Sequence, residues 1–191
     1  MKSLVSDSLN QYTDLRVLTI GHSTRPIEEF IRILHAYGVE CVADVRSIPR
    51  SRHNPQFNRD ILSASLEPAG ISYEHMKGLG GLRRPLPDSI NTYWENASFR
   101  GYADYMQTQE FEENLNALID LATSKTTAIM CAESVPWRCH RSLIADALLV
   151  RGIHVEHIMN ISHRSVHSLS SFANIRGTQI TYPSAEISQS L

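Results

Sequence analysis

Cys139, His140 and Arg141 stand side by side, eight positions after Cys131, in the segment CAESVPWRCHR. A thiol beside an imidazole and a guanidinium is the combination that stabilises a thiolate, so this segment suits nucleophilic or redox chemistry. Glu133 adds a carboxylate for acid–base work two residues after Cys131. Two more polar groups follow apolar runs: Gly21-His22-Ser23-Thr24 after RVLTI, and Asp44-Val45-Arg46 after VECVA, leading into Pro49-Arg50-Ser51-Arg52. Each has a plain structural reading beside the chemical one. Ser23 or Thr24 suits the cap of a following helix, and Cys131 suits an apolar interior. Asp44 reads equally as a catalytic carboxylate or as the ion partner of Arg46 or Arg141. His22 is a candidate acid, base or hydrogen-bond donor.

These clusters need elements to hold them, and the hydrophobic pattern supplies strands and helices in alternation. RVLTIGHS (16–23), VECVADVRS (39–47), ISYEHM (71–76), TTAIMCAE (126–133) and HVEHIM (154–159) read as five strands. Between them the apolar spacing predicts helices that follow Pro26 and stop at Gly38, run from about 58 to 69, from about 102 to 122, and from Cys139 to Gly152. Strands separated by helices of this length imply parallel crossovers. The expected fold is therefore a single α/β domain over 16–160, an open, mainly parallel five-stranded sheet with helices on both faces, Rossmann-like. Residues 1–15 read as an N-terminal extension and 161–191 as a Ser-rich tail partly ordered against the domain. In such a sheet ligands bind beyond the carboxyl ends of the strands, where all three polar clusters fall, so one shared site is expected.

The 191 residues are 42% hydrophobic and 20% charged, with a formal net charge of −2, which excludes a disordered or strongly basic chain. No run approaches a membrane span, and three cysteines make a poor disulfide framework, so a reducing cytoplasm is the expected setting. Lysine occurs only at positions 2, 77 and 125, so 15 of the 18 cations are arginine, the residue suited to bidentate recognition of phosphate.

Several familiar chemistries do not fit. Cys131 and Arg138 enclose six residues, one more than the phosphate loop of cysteine-dependent phosphatases, and Pro136 and Trp137 stiffen it. The cysteine spacing is not Cys-x-x-Cys, a four-ligand structural zinc set is incomplete, and Gly78, Gly80 and Gly81 form no nucleotide-binding or P-loop motif. No cofactor or metal is assigned.

GHST, DVRSIPRSR, PQFN, YEHMKGLGGLR, FRGYADYM and CAESVPWRCHR, in this order over roughly 17–160, resemble the family of the domain of unknown function 488. The resemblance implies a compact α/β domain and carries its motif positions onto His22, Ser23, Asp44, Arg46, Pro49, Ser51, Gly80, Gly81, Cys131, Glu133, Cys139, His140 and Arg141.

The leading expectation is an enzyme, a hydrolase or transferase, acting on a phosphate-bearing substrate such as a nucleotide or nucleic acid. Arg46, Arg50, Arg52 and Arg141, with Ser23, Thr24, Ser51, Gly80 and Gly81, would hold the anion. His22, Asp44, Glu133 or His140 would move protons, and Cys131 or Cys139 would be the nucleophile. Two other classes compete. A non-catalytic nucleic-acid-binding module would use Arg50, Arg52, His53, Arg59, Arg83, Arg84 and Arg100 with Tyr93, Trp94, Phe99 and Tyr102 interleaved. A metal- or redox-responsive thiol protein would use the cysteines alone.

Overall fold

The computed structural model describes residues 12 and 14–184. Most of the expected N-terminal extension, and the tail from 185 onward, lie outside the described residues.

Five parallel strands form the sheet: β1 (Arg16–Gly21), β2 (Cys41–Asp44), β3 (Ser72–His75), β4 (Thr127–Cys131) and β5 (His154–Ile158), in the order β3-β2-β4-β1-β5. A sixth strand, β6 (Arg164–Val166), pairs antiparallel with β5. The sequence reading of five strands missed it because Arg164-Ser165-Val166 carries no apolar run. It is a short edge strand, positioned by the turn that joins Met159 N–H to the His163 carbonyl. A separate hairpin, β7 (Asn174–Arg176) and β8 (Gln179–Thr181), turns at Gly177, whose φ of 63° favours glycine.

Helices cover both faces. On one, α1 (Ile27–Ala36) and α2 (Arg59–Leu66) place Phe30, Ile33, Leu34, Leu62 and Leu66 against Leu18, Ile20, Val42 and Met130. On the other, α3 (Ala97–Tyr105), α4 (Gln109–Ser124) and α5 (Arg141–Leu149) pack Tyr102, Phe111, Leu115 and Leu143 against Val17, Ala43, Ile129 and Val155. Successive strand residues alternate between the two cores, as the two-residue period requires. Each fully buried Leu, Ile or Phe contributes roughly 1.5–3 kcal/mol.

The helix expected from about 102 to 122 is two helices. Asn96 caps the first by accepting from Ser98 and Phe99 N–H, and the Thr108 hydroxyl caps the second by accepting from Phe111 N–H. The Thr108 cap interrupts an apolar periodicity that otherwise reads straight through.

The C-terminal segment is bound to the domain. Ile180 and Tyr182 are buried in the α3–α5 core, Phe172 stacks on Tyr93, and Asp146 of α5 accepts hydrogen bonds from Tyr182 and Ser170.

Strand order fixes where a ligand can enter. The chain leaves β1 through α1 toward β2 and leaves β4 through α5 toward β5, in opposite directions along the sheet. β1 and β4 are neighbours, with Gly21 opposite Cys131. The crevice between two diverging crossovers is the switch point at which open α/β sheets bind ligands.

Candidate functional site

At the carboxyl edge the α1–α2 face carries a saturated polar cluster. Asp44 is fully buried and Arg46 nearly so. Arg46 Nε and Nη2 donate to the two Asp44 oxygens at 2.8 and 2.5 Å, Nη2 also donates to the Phe57 carbonyl at 2.8 Å, and Nη1 faces His22 Nε2 at 3.2 Å. The Tyr73 hydroxyl donates to Asp44 at 2.6 Å. A guanidinium only donates, so His22 accepts at Nε2, which leaves Nδ1–H to donate to the Ser23 carbonyl at 2.8 Å. His22 stacks on Phe57, and burial lowers its pKa to about 4. Of the two readings of Asp44, the geometry supports the ion pair. Its partner is Arg46, not Arg141, and Asp44 reaches neither cleft described below. His22 is a neutral acceptor that braces Arg46.

The opposite face of the same edge differs in one respect: its cation has no carboxylate. Arg141 is 1% exposed. Nε donates to Cys139 Sγ at 3.4 Å, Nη1 to Thr19 Oγ1 at 3.2 Å, and Nη2 to the Glu133 carbonyl. No acid pairs with it directly among the described residues. A buried guanidinium favours nearby negative charge, and the one ionisable group it touches directly is the Cys139 sulfur. Cys139 is held well below the ordinary thiol range, first by the hydrogen bond from Cys131, then by His140 and Arg141, against the opposing effect of burial. Cys131, the donor in that bond, is pushed up correspondingly. His140 Nδ1 lies 3.7 Å from Cys139 Sγ, and its Nε2 donates to the Val45 carbonyl at 3.2 Å. The donor atoms of Cys131, Cys139 and His140 all lie within 4.8 Å of one another. That is a set of three soft donors, one short of a closed structural zinc site.

Behind Arg141 runs a chain of polar side chains that ends at Asp146. Arg141 only donates and the Asp146 carboxylate only accepts. Thr19 Oγ1 lies 2.8 Å from His157 Nδ1, His157 Nε2 lies 3.0 Å from His167 Nδ1, and His167 Nε2 donates to Asp146 at 2.8 Å. His157 is neutral in this chain, and burial lowers its pKa to about 4. Sequence reading missed this chain. Its available signal was Asp146, a charge on the apolar face of RSLIADALL.

Two clefts open at this edge. One, of about 360 Å³, is lined by Cys131, Cys139, His140, Gly81, Arg138 and Glu133, among others. The other, of about 510 Å³, is lined by Ser23, Thr24, Arg50, Ser51, His22 and Glu133, among others. Arg46, Ile48, Ala132 and Glu133 border both, so the three sequence clusters do meet at one rim. Glu133 is exposed there.

Other expectations change. Arg52 borders neither cleft. Ser23 and Thr24 do not cap α1, which begins after Pro26 with no side-chain cap hydrogen bond. Ser23 instead holds a φ of 50°, the one positive value outside glycine among the described residues, with its N–H on the Ala132 carbonyl. Gly80 and Gly81 serve by close approach. A Cβ on Gly81 would come within 2.5 Å of His140 Nδ1, and one on Gly80 within 2.4 Å of Ser47 Oγ. Arg138, not among the expected site residues, lines the cysteine cleft.

Of the residues of the nucleic-acid-module reading, Arg50, Arg52, His53, Arg59 and Arg84 are exposed, and several others are engaged within the domain. Tyr102 is buried, Tyr93 and Trp94 pack on Phe172, Arg83 lies over the Tyr105 ring and donates to the Gly78 carbonyl, and Arg100 donates to the Trp94 carbonyl. No helix among the described residues is long and apolar enough to cross a membrane.

Comparison with curated proteins gives no match, and neither does comparison with solved structures. The family model of the domain of unknown function DUF488 matches residues 26–148, from the start of α1 to the end of α5, including Asp44, Arg46 and the whole CAESVPWRCHR segment. That is most of the chain and most of the site, and the protein belongs to the DUF488 family.

Proposed function

We propose that this protein is a hydrolase or transferase that uses the Cys139 thiolate as nucleophile on a phosphate-bearing substrate, a nucleotide or a nucleic-acid end. The observation that carries the reading is the buried Arg141 with a sulfur, rather than a carboxylate, as its contact. A thiolate held in that way is the attacking species without needing a base to generate it. His140, 3.7 Å from the sulfur, is placed to pass a proton to a departing group. Glu133, exposed on the wall shared by both clefts, is the base for a water that resolves the adduct. Arg50 and Arg138 bring positive charge to the two cleft walls, and Ser23, Thr24 and Ser51 bring hydroxyls, which suits a phosphate beside the reacting group. Arg46 is tied to Asp44 and shapes the wall between the clefts.

The test is incubation with a panel of mononucleotides and end-phosphorylated oligonucleotides, followed by product analysis and intact mass. Turnover lost in Cys139→Ser and kept in Cys41→Ser is the expected result. Turnover retained in Cys139→Ser would remove the nucleophile. Steeply salt-dependent binding to oligonucleotides with no product would replace the enzyme with a binding module.

A further inference from the structure

The second sulfur has no part in that chemistry, and its position gives it one. Cys131 ends β4 on the cleft wall, half-buried, within 4.8 Å of Cys139 Sγ. It stands beside the sulfur that Arg141 Nε and His140 Nδ1 also approach, at 3.4 and 3.7 Å. Cys41, the third cysteine, begins β2 at the amino edge of the sheet and is fully buried. The two sulfurs at the carboxyl edge thus form a pair of unequal partners. One, Cys139, has the Arg141 guanidinium at 3.4 Å and the His140 imidazole at 3.7 Å. The other, Cys131, lies within 4.8 Å of it with neither the guanidinium nor the imidazole hydrogen-bonded to its own sulfur, so it is the partner left to resolve an oxidised Cys139.

We propose that the pair reduces hydroperoxides, with Cys139 as the peroxide-attacking sulfur and Cys131 as the resolving one. The proposal rests on the thiolate reading of Cys139 and adds a second activity to the same cleft. The Cys139 thiolate attacks the terminal oxygen of a hydroperoxide, forming the S–O bond of a sulfenic acid and breaking the O–O bond. The departing alkoxide or hydroxide takes a proton, from His140 Nδ1 or from solvent, and leaves as alcohol or water. Arg141 Nε remains a fixed donor to the sulfur while its charge moves onto the leaving oxygen. Cys131 then attacks the oxidised sulfur, forming the Cys131–Cys139 disulfide and releasing water. Sulfur loses two electrons, peroxide gains two, and a dithiol reductant from solution restores the starting pair. The low exposure of Cys139, 4%, favours a small oxidant.

Two charges argue that these sulfurs act as a pair rather than as metal ligands. Arg141 already places one positive charge 3.4 Å from Cys139 Sγ. A divalent cation on Cys131 and Cys139 would place a second positive centre beside a buried guanidinium.

The test treats the reduced full-length chain with stoichiometric hydrogen peroxide at about pH 6, followed by thiol blocking, intact mass and peptide mapping. At that pH an ordinary thiol is under about 1% thiolate. The expected result is loss of two hydrogens and one linked peptide pair, Cys131 with Cys139. Cys139 should be consumed at least about tenfold faster than Cys41. Cys131→Ser should stop at one added oxygen on Cys139, trapped by dimedone. Elemental analysis of the same preparation is the control, and a stoichiometric metal that shields both thiols from peroxide overturns the proposal. If Cys139 alkylates readily at low pH yet peroxide yields neither disulfide nor sulfenic acid, this proposal falls and the nucleophile reading stands. If Cys139 resists both reagents, both fall.

Discussion

Two arginines sit on opposite faces of the same sheet edge, both buried, and their surroundings could hardly differ more. Arg46 has Asp44, Tyr73, His22 and the Phe57 carbonyl arranged so that charge and hydrogen bonds close on themselves. Arg141 has a threonine hydroxyl, a carbonyl and a cysteine. The first cluster is complete without a ligand and behaves as a strut. The second sets its cation directly against a sulfur, and its one carboxylate, Asp146, stands at the far end of the Thr19–His157–His167 chain. A buried ion pair that is fully partnered fixes geometry, whereas a buried cation without a carboxylate sets the protonation state of whatever it touches.

The contrast can be broken most forcefully at Asp44. Asp44→Asn leaves Arg46 charged and buried, and should cost about 3–5 kcal/mol in urea unfolding. In the folded fraction the alkylation rate of Cys139 should be unchanged. A cost under about 1 kcal/mol would mean that the strut is not closed.

Acid should weaken the strut next. Burial lowers the His22 pKa to about 4 from 6.5, so the unfolded chain binds a proton before the folded one. Stability is therefore full above about pH 6.5 and is lost as pH falls toward 4, by on the order of 2–3 kcal/mol for this residue. Comparing the urea midpoint at about pH 7 and pH 4.5 in the wild type and in His22→Gln tests this. The fall should be smaller in the variant.

On the other face, Cys139→Ser removes the counter-charge of Arg141 and should destabilise by about 2 kcal/mol, and adding Arg141→Met should recover part of that loss. Strictly additive costs would show that sulfur and guanidinium are independent. The smallest effect belongs to Tyr73→Phe, which deletes one hydrogen bond to Asp44 and should cost about 1 kcal/mol with no change at Cys139.

Much of this edge was legible in the sequence, because strand ends in a parallel sheet share one side and each cluster directly follows an apolar run. His22, Arg46, Glu133, Cys131 and Cys139 could be brought to one rim by that rule alone. Which cluster is saturated was not legible. Asp44 has two candidate arginines within the motifs, and only the register of β1, β2 and β4 shows that Arg46 folds back on it while Arg141 faces the other core. The Thr19–His157–His167–Asp146 chain was hidden for a similar reason, since its members come from β1, β5, the segment after β6, and α5. The sixth strand and the buried Tyr182 belong to a Ser-rich stretch with weak periodicity, whose anchoring depends on partners such as Asp146 and Asn91 far away in sequence. The split between α3 and α4 left one local sign, Thr108 ahead of Gln-Glu-Phe, within an unbroken apolar stripe.

The most direct test of the account is the rate at which iodoacetamide labels Cys139 in the wild-type protein as a function of pH, followed on the Cys139 peptide. The account predicts a rate that is nearly flat from about pH 5 to pH 8, as for a thiol ionised throughout. A rate that climbs about tenfold per pH unit toward the ordinary thiol pKa near 8.5 would contradict it.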